Sequence, residues 1–440
     1  MKGQMFMFNI EECILYRDFQ QGDILRDMSA ALEICCKEPE DPDKSKTLFY
    51  SCMNRLVEMA GTYGFTGNLW HNYLTFLLAN HENAFSTACE ITGQAEGTIN
   101  QLALHDFTIF KDLFHFDFAS FEDFYGVSSC CRLISDYKNV KNSSKQFNER
   151  IRNRLCDLSV LLASSDSPEE FMTHMVDFYK DYGVGKLGLH KAFRLEHGPG
   201  DEKVQIVPIT RIAHVKLDDL VGYEIAKKKL IDNTEAFLKG RPANNCLLFG
   251  DAGTGKSSCI KAILNQYYDQ GLRIIEVYKH QFKDLNDVIA QIKNRHYKFI
   301  IYMDDLSFED FEVEYKYLKA VIEGGLERKP DNILIYATSN RRHLVREHYS
   351  DKADRDDELH TSDTVQEKLS LVYRFGVTIY FGSPDKKEFQ EIVLTLARRN
   401  GITMPEEELL LQANAWELRH GGLSGRTAQQ FVDYLLGKEV

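Results

Sequence analysis

The chain has 440 residues and a formal net charge of −13, and 43% of its residues are hydrophobic and 12% aromatic. This length favours two or three domains with sizeable cores, and the acidic excess disfavours bulk attraction to nucleic acid or to an anionic membrane. The first residues lack the apolar stretch of a signal peptide. No window approaches the ~18 apolar residues that a membrane-spanning helix needs, so we expect no membrane partner.

The ten cysteines include two adjacent pairs, Cys35-Cys36 and Cys130-Cys131, but no C-x-x-C motif. This spacing is not that of a zinc ribbon or of a dithiol redox centre. Other cysteines fall in apolar runs, where a thiol usually serves as a small core hydrophobe. We therefore predict reduced, buried thiols in a cytoplasmic protein.

Residues 1–182 are predicted to form a mainly α-helical domain, because apolar residues recur there at helical spacing. Acidic groups concentrate at the front, where residues 1–130 carry 8 Lys or Arg against 19 Asp or Glu. Ser167-Pro168 is typical of the first positions of a helix. We expect this domain to recognise an unidentified protein partner. The predicted helices cover residues 8–36, 46–60 and 167–181, and residues 68–95 supply one or two more.

Two stretches of this domain differ in charge. Residues 107–125 contain seven phenylalanines interleaved with acidic groups, which would repel phosphates, so we predict core or partner-helix contacts rather than base stacking. Residues 132–154 carry seven Lys or Arg. A solvated helix face is the expected role of this basic run. It is also where nucleic acid, a partner that the overall charge disfavours, would bind.

Residues 183–216 are predicted to be a linker with short strands, since they hold several glycines and the turn-forming run 197–202. Within it, a strand over 189–195 is predicted to pair with 204–208. From residue 217 onward, apolar strands alternate with helical patterns, which indicates a parallel α/β sheet. We predict a nucleotide-binding core over 217–384 and a small C-terminal helical lid over 385–440.

Residues 246–260 join a short apolar strand to a helix through the phosphate-loop pattern G-x-x-x-x-G-K-[ST]. Its glycines let successive N–H groups point at an anion, and the helix that begins near Lys256 adds the positive end of its dipole. Lys256 would reach the β- and γ-phosphates, and Ser257 would hold Mg²⁺, so the pattern predicts ATP and Mg²⁺ as cofactors. The predicted phosphate-binding residues are Gly250, Asp251, Ala252, Gly253, Thr254, Gly255, Lys256, Ser257 and Ser258.

A second buried strand, 298–303, ends in Asp304 and Asp305. A strand-terminal aspartate beside a phosphate loop can hold Mg²⁺, and a second acid can orient and deprotonate the attacking water. We assign Asp304 to the metal and Asp305 to the water. The alternative is a pair of solubilising charges at the end of a strand.

Three further polar residues follow in the order expected of a nucleotide-hydrolysing site. Asn340 ends the strand 333–339, where its amide could reach both the γ-phosphate and the water. Arg374 precedes the strand 377–381, a position that commonly faces the next subunit. Arg426 lies near the start of a helix in the predicted lid.

This series resembles the motif order of AAA+ ATPases. The resemblance implies a P-loop AAA+ parallel sheet core with a C-terminal lid. It also implies a ring or helical homo-oligomer in which Arg374 of one subunit completes the site of the next. The phosphate loop, Asp304-Asp305, Asn340, Arg374 and Arg426 match Walker A, Walker B, sensor 1, the arginine finger and sensor 2, and Val221-Gly222 resembles the segment beside the adenine.

Longer strings narrow the resemblance to a bacterial family of AAA+ ATPases, the domain of unknown function 815, over roughly residues 185–437. The strings begin at Asp219 (DLVGYE), Asp304 (DDLSFE), Glu367 (EKLSL) and Ser424 (SGRTA).

Three functions compete at this point. The leading hypothesis is an ATPase that hydrolyses ATP at a subunit interface to remodel or move an unidentified macromolecular partner. Most AAA+ proteins have Asp-Glu where this chain has Asp304-Asp305, and the shorter Asp305 keeps open an ATP-dependent binding switch with little turnover. The third is a DNA-handling ATPase resembling helicase loaders, which the implied fold and the basic run support.

Overall fold

The computed structural model describes residues 9–37, 42–116, 118, 130–139, 149–198, 200, 203–308, 312, 314–323, 330–341, 344 and 371–438. The chain divides into two compact units, Met1–His190 and Lys191–Val440. None of the described helices is long and apolar enough to cross a membrane.

The described part of the first unit is mainly helical, as predicted. Its helices begin where the sequence supplies capping groups: Asn68 accepts a hydrogen bond from the His71 amide, and Asn83 forms a reciprocal pair of bonds with Ser86. Residues 68–95, predicted to supply one or two helices, form two, and the Asn83 cap begins the second. The helices are α1 (Asp23–Lys37), α2 (Pro42–Tyr63), α3 (Leu69–Asn80), α4 (Ala84–Thr92), α5 (Thr98–Phe114), α6 (Cys130–Ser135), α7 (Glu149–Ser164), α8 (Pro168–Tyr182) and α9 (Gly185–Leu189).

The core of this unit is built on aromatic side chains. Phe107, Phe110, Phe114 and Phe118 are all buried, which confirms the predicted core role for this part of the phenylalanine-rich run. Phe121 and Phe124, which belong to the same prediction, lie outside the described residues.

A buried carboxylate fixes the segment before α1. Asp106 on α5 accepts hydrogen bonds from the backbone amides of Ile14, Leu15 and Tyr16, at 2.7–3.1 Å. The Tyr16 hydroxyl in turn lies 3.0 Å from that of Tyr179 on α8. Because a buried carboxylate needs donors, these three amides compensate for its removal from water.

The second unit contains a seven-stranded sheet with helices packed against it. The strands are β1 (Ala192–His197), β2 (Val204–Pro208), β3 (Cys246–Gly250), β4 (Leu272–Glu276), β5 (Lys298–Met303), β6 (Ile333–Ser339) and β7 (Val377–Phe381), and their order in the sheet is β2-β1-β4-β5-β6-β3-β7. All neighbours pair in parallel except β1 and β2, which are antiparallel. Strand β6 is buried at every position, as expected for a parallel strand covered on both faces.

Residues 183–216, predicted to be a linker with short strands, contain two strands that belong to the sheet. Strand β1 pairs in parallel with β4, so the β1–β2 hairpin extends the sheet instead of connecting two domains. The predicted strand over 189–195 begins instead at Ala192, because Gly185–Leu189 forms a short helix. Its predicted pairing with 204–208 is confirmed.

Helices complete the unit. Among the described residues, the core helices are α10 (Glu224–Leu238), α11 (Lys256–Tyr267), α12 (Leu285–Ile292) and α13 (Glu314–Glu323), and the lid helices are α14 (Lys386–Arg399), α15 (Glu406–Glu417) and α16 (Gly425–Leu436). The lid has its own apolar core, to which Phe389, Val393 and Phe431 contribute. The predicted α/β architecture, a largely parallel sheet with a small C-terminal helical lid and a mainly helical N-terminal region, is confirmed.

The register of the sheet brings the motifs to one edge. Phe249 pairs with Ser339, and Met303 pairs with Ala337. Strands β3, β5 and β6 therefore end side by side, and in a parallel sheet the carboxyl ends of the strands share one edge. The phosphate loop, Asp304-Asp305 and Asn340 leave the sheet at this edge.

Candidate nucleotide-binding site

The phosphate loop connects β3 to α11 through a backbone that only glycine adopts without strain. Gly250 has φ 135°, and a Cβ placed there would lie 2.0 Å from the carbonyl oxygen of Phe381. Gly255 has φ 91° and precedes the first residue of α11. This geometry leaves the first amides of α11 without intrahelical partners, which is the arrangement that binds phosphate in many proteins.

The Lys256 ammonium is held inside the loop. It donates to the carbonyl oxygens of Gly250 and Asp251 at 2.9 and 2.6 Å and to Asn340 Oδ1 at 3.1 Å. Burial lowers the pKa of Lys256, and the nearby carboxylates of Asp251, Asp305 and Asp304 oppose that shift. Its three partners are all oxygens, so phosphate oxygens are chemically equivalent acceptors for it.

Asp304 receives three hydroxyl groups on a single oxygen. Its Oδ1 accepts hydrogen bonds from Ser257 at 2.7 Å, Tyr302 at 2.7 Å and Thr338 at 2.6 Å. Burial tends to raise the pKa of Asp304, but these three bonds outweigh it and the pKa lies below its usual value. The carboxylate is therefore ionised at neutral pH. Its second oxygen accepts no hydrogen bond from the part of the chain that the structure describes.

Asp305 stands in an uncommon backbone conformation beside Asn340. Its φ is 49°, in the left-handed region that non-glycine residues rarely occupy. Its amide donates to Thr338 Oγ1 at 3.0 Å, and its Oδ1 accepts from Asn340 Nδ2 at 2.7 Å. Asn340 thus contacts both Lys256 and Asp305 with the two ends of its amide.

These groups line one cavity of about 680 Å³ between the core and the lid. One part of its wall is polar and includes the phosphate loop with Asp304, Asp305, Asn340 and Arg426. The wall also includes the apolar side chains of Val215, Leu220, Val221, Ile392 and Leu396. Further lining residues are His214, Asp219, Tyr223, Lys227, Gln429 and Gln430.

The phosphate loop is bonded directly to the lid and to the segment that leads into it. Asp251 Oδ2 accepts the amide and the hydroxyl of Ser383 at 2.8 and 2.9 Å, and these bonds hold the pKa of Asp251 below its usual value. The Gly253 carbonyl accepts from the Arg426 amide, 3.1 Å away, at the start of α16. The position of the lid and the shape of the loop are therefore linked.

The cavity wall includes most, but not all, of the predicted site residues. Gly222, Gly250, Asp251 and Arg374 are described but are not among the residues that line it. The carboxylate of Asp251 faces the segment before the lid instead of the cavity. Arg374 forms an ion pair with Glu323 of α13. The predicted site residues that do line the cavity are Val221, Ala252, Gly253, Thr254, Gly255, Lys256, Ser257, Ser258, Asp304, Asp305, Asn340 and Arg426.

Thr338 and Tyr302 contribute to the site but were not predicted from the sequence. Each lies two residues before a predicted residue, Thr338 before Asn340 and Tyr302 before Asp304. Side chains at positions i and i+2 of a strand point to the same face. This spacing is the sequence signal that could have identified Thr338 and Tyr302. Thr338 contacts both carboxylate-bearing residues, since its hydroxyl donates to Asp304 and accepts from the Asp305 amide.

The donor set fits Mg²⁺ and a nucleotide phosphate. A serine hydroxyl and an ionised carboxylate with one oxygen outside its hydrogen-bond network are hard oxygen ligands of the kind that Mg²⁺ prefers. Lys256 and the amides of the phosphate loop supply the positive groups that phosphates require. The residues present therefore suit a nucleotide with Mg²⁺.

Comparison with known proteins identifies a family. The family described as "Protein of unknown function (DUF815)" matches residues 189–439. Over 74 residues the chain is 39% identical to the replication factor C large subunit of Staphylothermus marinus, and over 67 residues it is 37% identical to that of Thermofilum pendens. These matches cover 17% and 15% of this chain and 17% and 16% of the two relatives, so the chain spans about a sixth of the curated proteins it matches.

Among solved structures, the Holliday junction branch migration motor RuvB of Thermotoga maritima matches with a TM-score of 0.32 and 15% identity, over 50% of this chain and 72% of that chain. A mutant of the same protein matches with a TM-score of 0.36 and 17% identity, over 50% of this chain and 65% of that chain. The family match extends over more than half of the 440 residues and contains the phosphate loop and every other predicted site residue. The chain therefore belongs to the DUF815 family.

Proposed function

We propose that the protein binds ATP with Mg²⁺ in the cavity between core and lid, and hydrolyses it to remodel or move a macromolecular partner. One observation carries the proposal: a phosphate loop, two strand-end carboxylates, a strand-end amide and a lid arginine all line the same cavity. A solubilising role for Asp304 does not account for three hydroxyl groups directed at one of its oxygens.

The roles follow from position and charge. Lys256 and the loop amides bind the phosphates, and Ser257 with Asp304 holds Mg²⁺, whose charge would stabilise the phosphate oxygens. Asp305 orients the attacking water and accepts its proton, while Asn340 positions both the water and the γ-phosphate. Arg426 approaches the phosphates from the lid.

Arg374 acts on a neighbouring subunit. It is not among the residues that line the cavity of its own chain, which supports a role for its guanidinium in stabilising phosphoryl charge in the site of a second copy. A contact of this head-to-tail kind closes a ring or extends a helix, and we propose a homo-oligomer of that type. The helical N-terminal unit would recognise the protein partner.

Steady-state ATP hydrolysis across a protein concentration series tests this proposal. We expect specific activity to rise with protein concentration in the wild type. Lys256→Ala should abolish ATP binding, while Arg374→Ala should retain binding and lose turnover. Tight ATP binding with no turnover in any protein would contradict hydrolysis.

The second candidate is an ATP-controlled binding switch with little turnover. It is favoured by Asp305, which is one methylene shorter than glutamate and whose carboxylate is held by Asn340 at 2.7 Å. Asp305→Glu separates the two functions. A large gain in turnover would show that the native residue restrains hydrolysis, and an equal rate would remove the support for the switch.

A DNA-handling function remains a third proposal. The curated relatives are named replication factor C large subunits. Against this stand the net charge of −13 and the short length of those matches. Filter binding to duplex and single-stranded DNA across a salt series tests it, and no binding at low salt would exclude it.

A further inference from the structure

The segment 209–216 forms part of the cavity wall without having secondary structure of its own. His214 and Val215 line the cavity, and the residues from Ile209 to Lys216 belong to no helix or strand. Only part of the segment packs inward: Ile209, Ile212 and Val215 pack against an apolar core formed by strands and helices of this unit. A wall of this kind keeps its shape only if other groups hold its backbone.

One side chain on α11 holds this backbone at two points. Asn265 Nδ2 donates to the carbonyl oxygen of Ala213 at 3.1 Å and to that of Val215 at 2.9 Å. The two carbonyls flank His214, so the bonds span the part of the segment that reaches the cavity. Asn265 Oδ1 accepts in turn from Lys191 Nζ, which orients the amide so that its NH₂ group faces the segment.

The position of Asn265 along α11 places this wall away from the phosphates. It lies nine residues after Lys256, and so about 14 Å along the helix axis from the phosphate-binding end. A nucleotide held by its phosphates at that end can reach the wall only with its nucleoside. Besides Val215, the cavity is lined by apolar side chains of the core and lid, among them Leu220 and Ile392, which suit an uncharged base.

We infer that Asn265 is a positioning residue for the nucleoside of ATP. By fixing the carbonyls of Ala213 and Val215, it holds the surface on which the base rests, and it does so without touching the phosphates. The inference rests on the proposed ATP site, because it assigns a role to the end of the cavity that the phosphate loop does not fill.

Two ligands separate this role from general damage to the fold. Inorganic triphosphate with Mg²⁺ engages the phosphate end alone, whereas ATP with Mg²⁺ engages both ends. For Asn265→Ala we expect the affinity for ATP to fall about tenfold, or about 1.4 kcal/mol, and the affinity for triphosphate to stay within about twofold of the wild type. Isothermal titration calorimetry measures both, and intact triphosphate binding shows that the site is folded.

Two further variants sharpen the test. Asn265→Asp keeps the size and can still accept from Lys191, but it cannot donate to the two carbonyls, so we expect at least the same loss for ATP. Gln266→Ala is the matched control, since Gln266 is the next residue of the same helix and is exposed. It should leave both affinities unchanged.

The outcomes distinguish the inference from the proposed function. If the wild type binds neither ATP nor triphosphate, the proposed nucleotide site is wrong. If it binds both, and the Asn265 variants weaken both equally or neither, the positioning role of Asn265 is overturned while the ATP site stands.

Discussion

The hydroxyl of Thr338 allows the sharpest test of the proposed magnesium site. Thr338 is 1% exposed, and its Oγ1 donates to Asp304 at 2.6 Å and accepts from the Asp305 amide at 3.0 Å. Thr338→Val has nearly the same shape and removes both bonds. It leaves the Asp305 amide without its hydroxyl partner, at the residue whose φ of 49° needs support.

The size of the effect follows from the two bonds. A hydrogen bond to a charged group contributes about 1.5–3 kcal/mol, and one between neutral groups about 1 kcal/mol. If most of this hydrogen-bond free energy is lost from the stabilisation of the transition state, we expect turnover to fall about 100-fold, which corresponds to about 2.7 kcal/mol. The concentration of Mg²⁺ needed for half-maximal activity should rise, while ATP binding without Mg²⁺ should stay close to that of the wild type.

The pH dependence gives an independent readout. Three hydroxyl donors hold the pKa of Asp304 below its usual value against the effect of burial, so losing one donor raises that pKa. On acidification, Thr338→Val should therefore lose activity at a higher pH than the wild type. Thr338→Ser retains the hydroxyl and should restore both the rate and the pH profile. A Val variant with normal Mg²⁺ dependence would refute the proposed role of this network.

Three other changes have defined outcomes. Glu323→Gln weakens the ion pair with Arg374. Because the side chains of Glu323 and Arg374 are 38% and 27% exposed, the pair contributes only about 0.5 kcal/mol. We therefore expect half-maximal activity at about twofold lower protein concentration, and an unchanged concentration dependence would mean that Arg374 acts only within its own chain. Tyr336→Phe removes a buried hydroxyl bonded to Asn233 at 2.9 Å, so urea unfolding should give a free energy lower by about 1–2 kcal/mol, and a variant as stable as the wild type would contradict this. Burial lowers the pKa of Lys256, so ATP affinity should decline with rising alkaline pH sooner than for an exposed lysine; Lys256→Arg, which stays protonated, should show no such decline.

The phosphate loop and the strand-end carboxylates could be predicted because each is specified by consecutive residues. The phosphate loop specifies its own backbone through Gly250 and Gly255, and the buried strand before Asp304 fixes where that carboxylate leaves the sheet. The hairpin β1–β2 was harder to place. A short strand carries no signal for which edge it joins, and the pairing of β1 with β4 depends on contacts more than 70 residues apart.

The sequence also did not predict roles that depend on residues distant in sequence coming together in the fold. Asp251 occupies a variable position of the phosphate-loop pattern, and only the folded chain shows that its carboxylate bonds to Ser383, 132 residues later. Asn265 is a single polar residue on a helix face, and its two carbonyl partners belong to a segment without periodic structure. In the sequence, neither Asp251 nor Asn265 can be distinguished from a polar residue that only faces solvent.

The bonds from the phosphate loop to Ser383 and to Arg426 have a kinetic consequence. Because the Gly253 carbonyl accepts a hydrogen bond from the first turn of α16, a lid that swings away must break a bond with the loop that we propose binds the phosphates. Release of spent nucleotide and movement of the lid would then be one event with one barrier. A macromolecule that presses on the lid would set how long ADP stays bound, and the partner itself would act as the exchange factor.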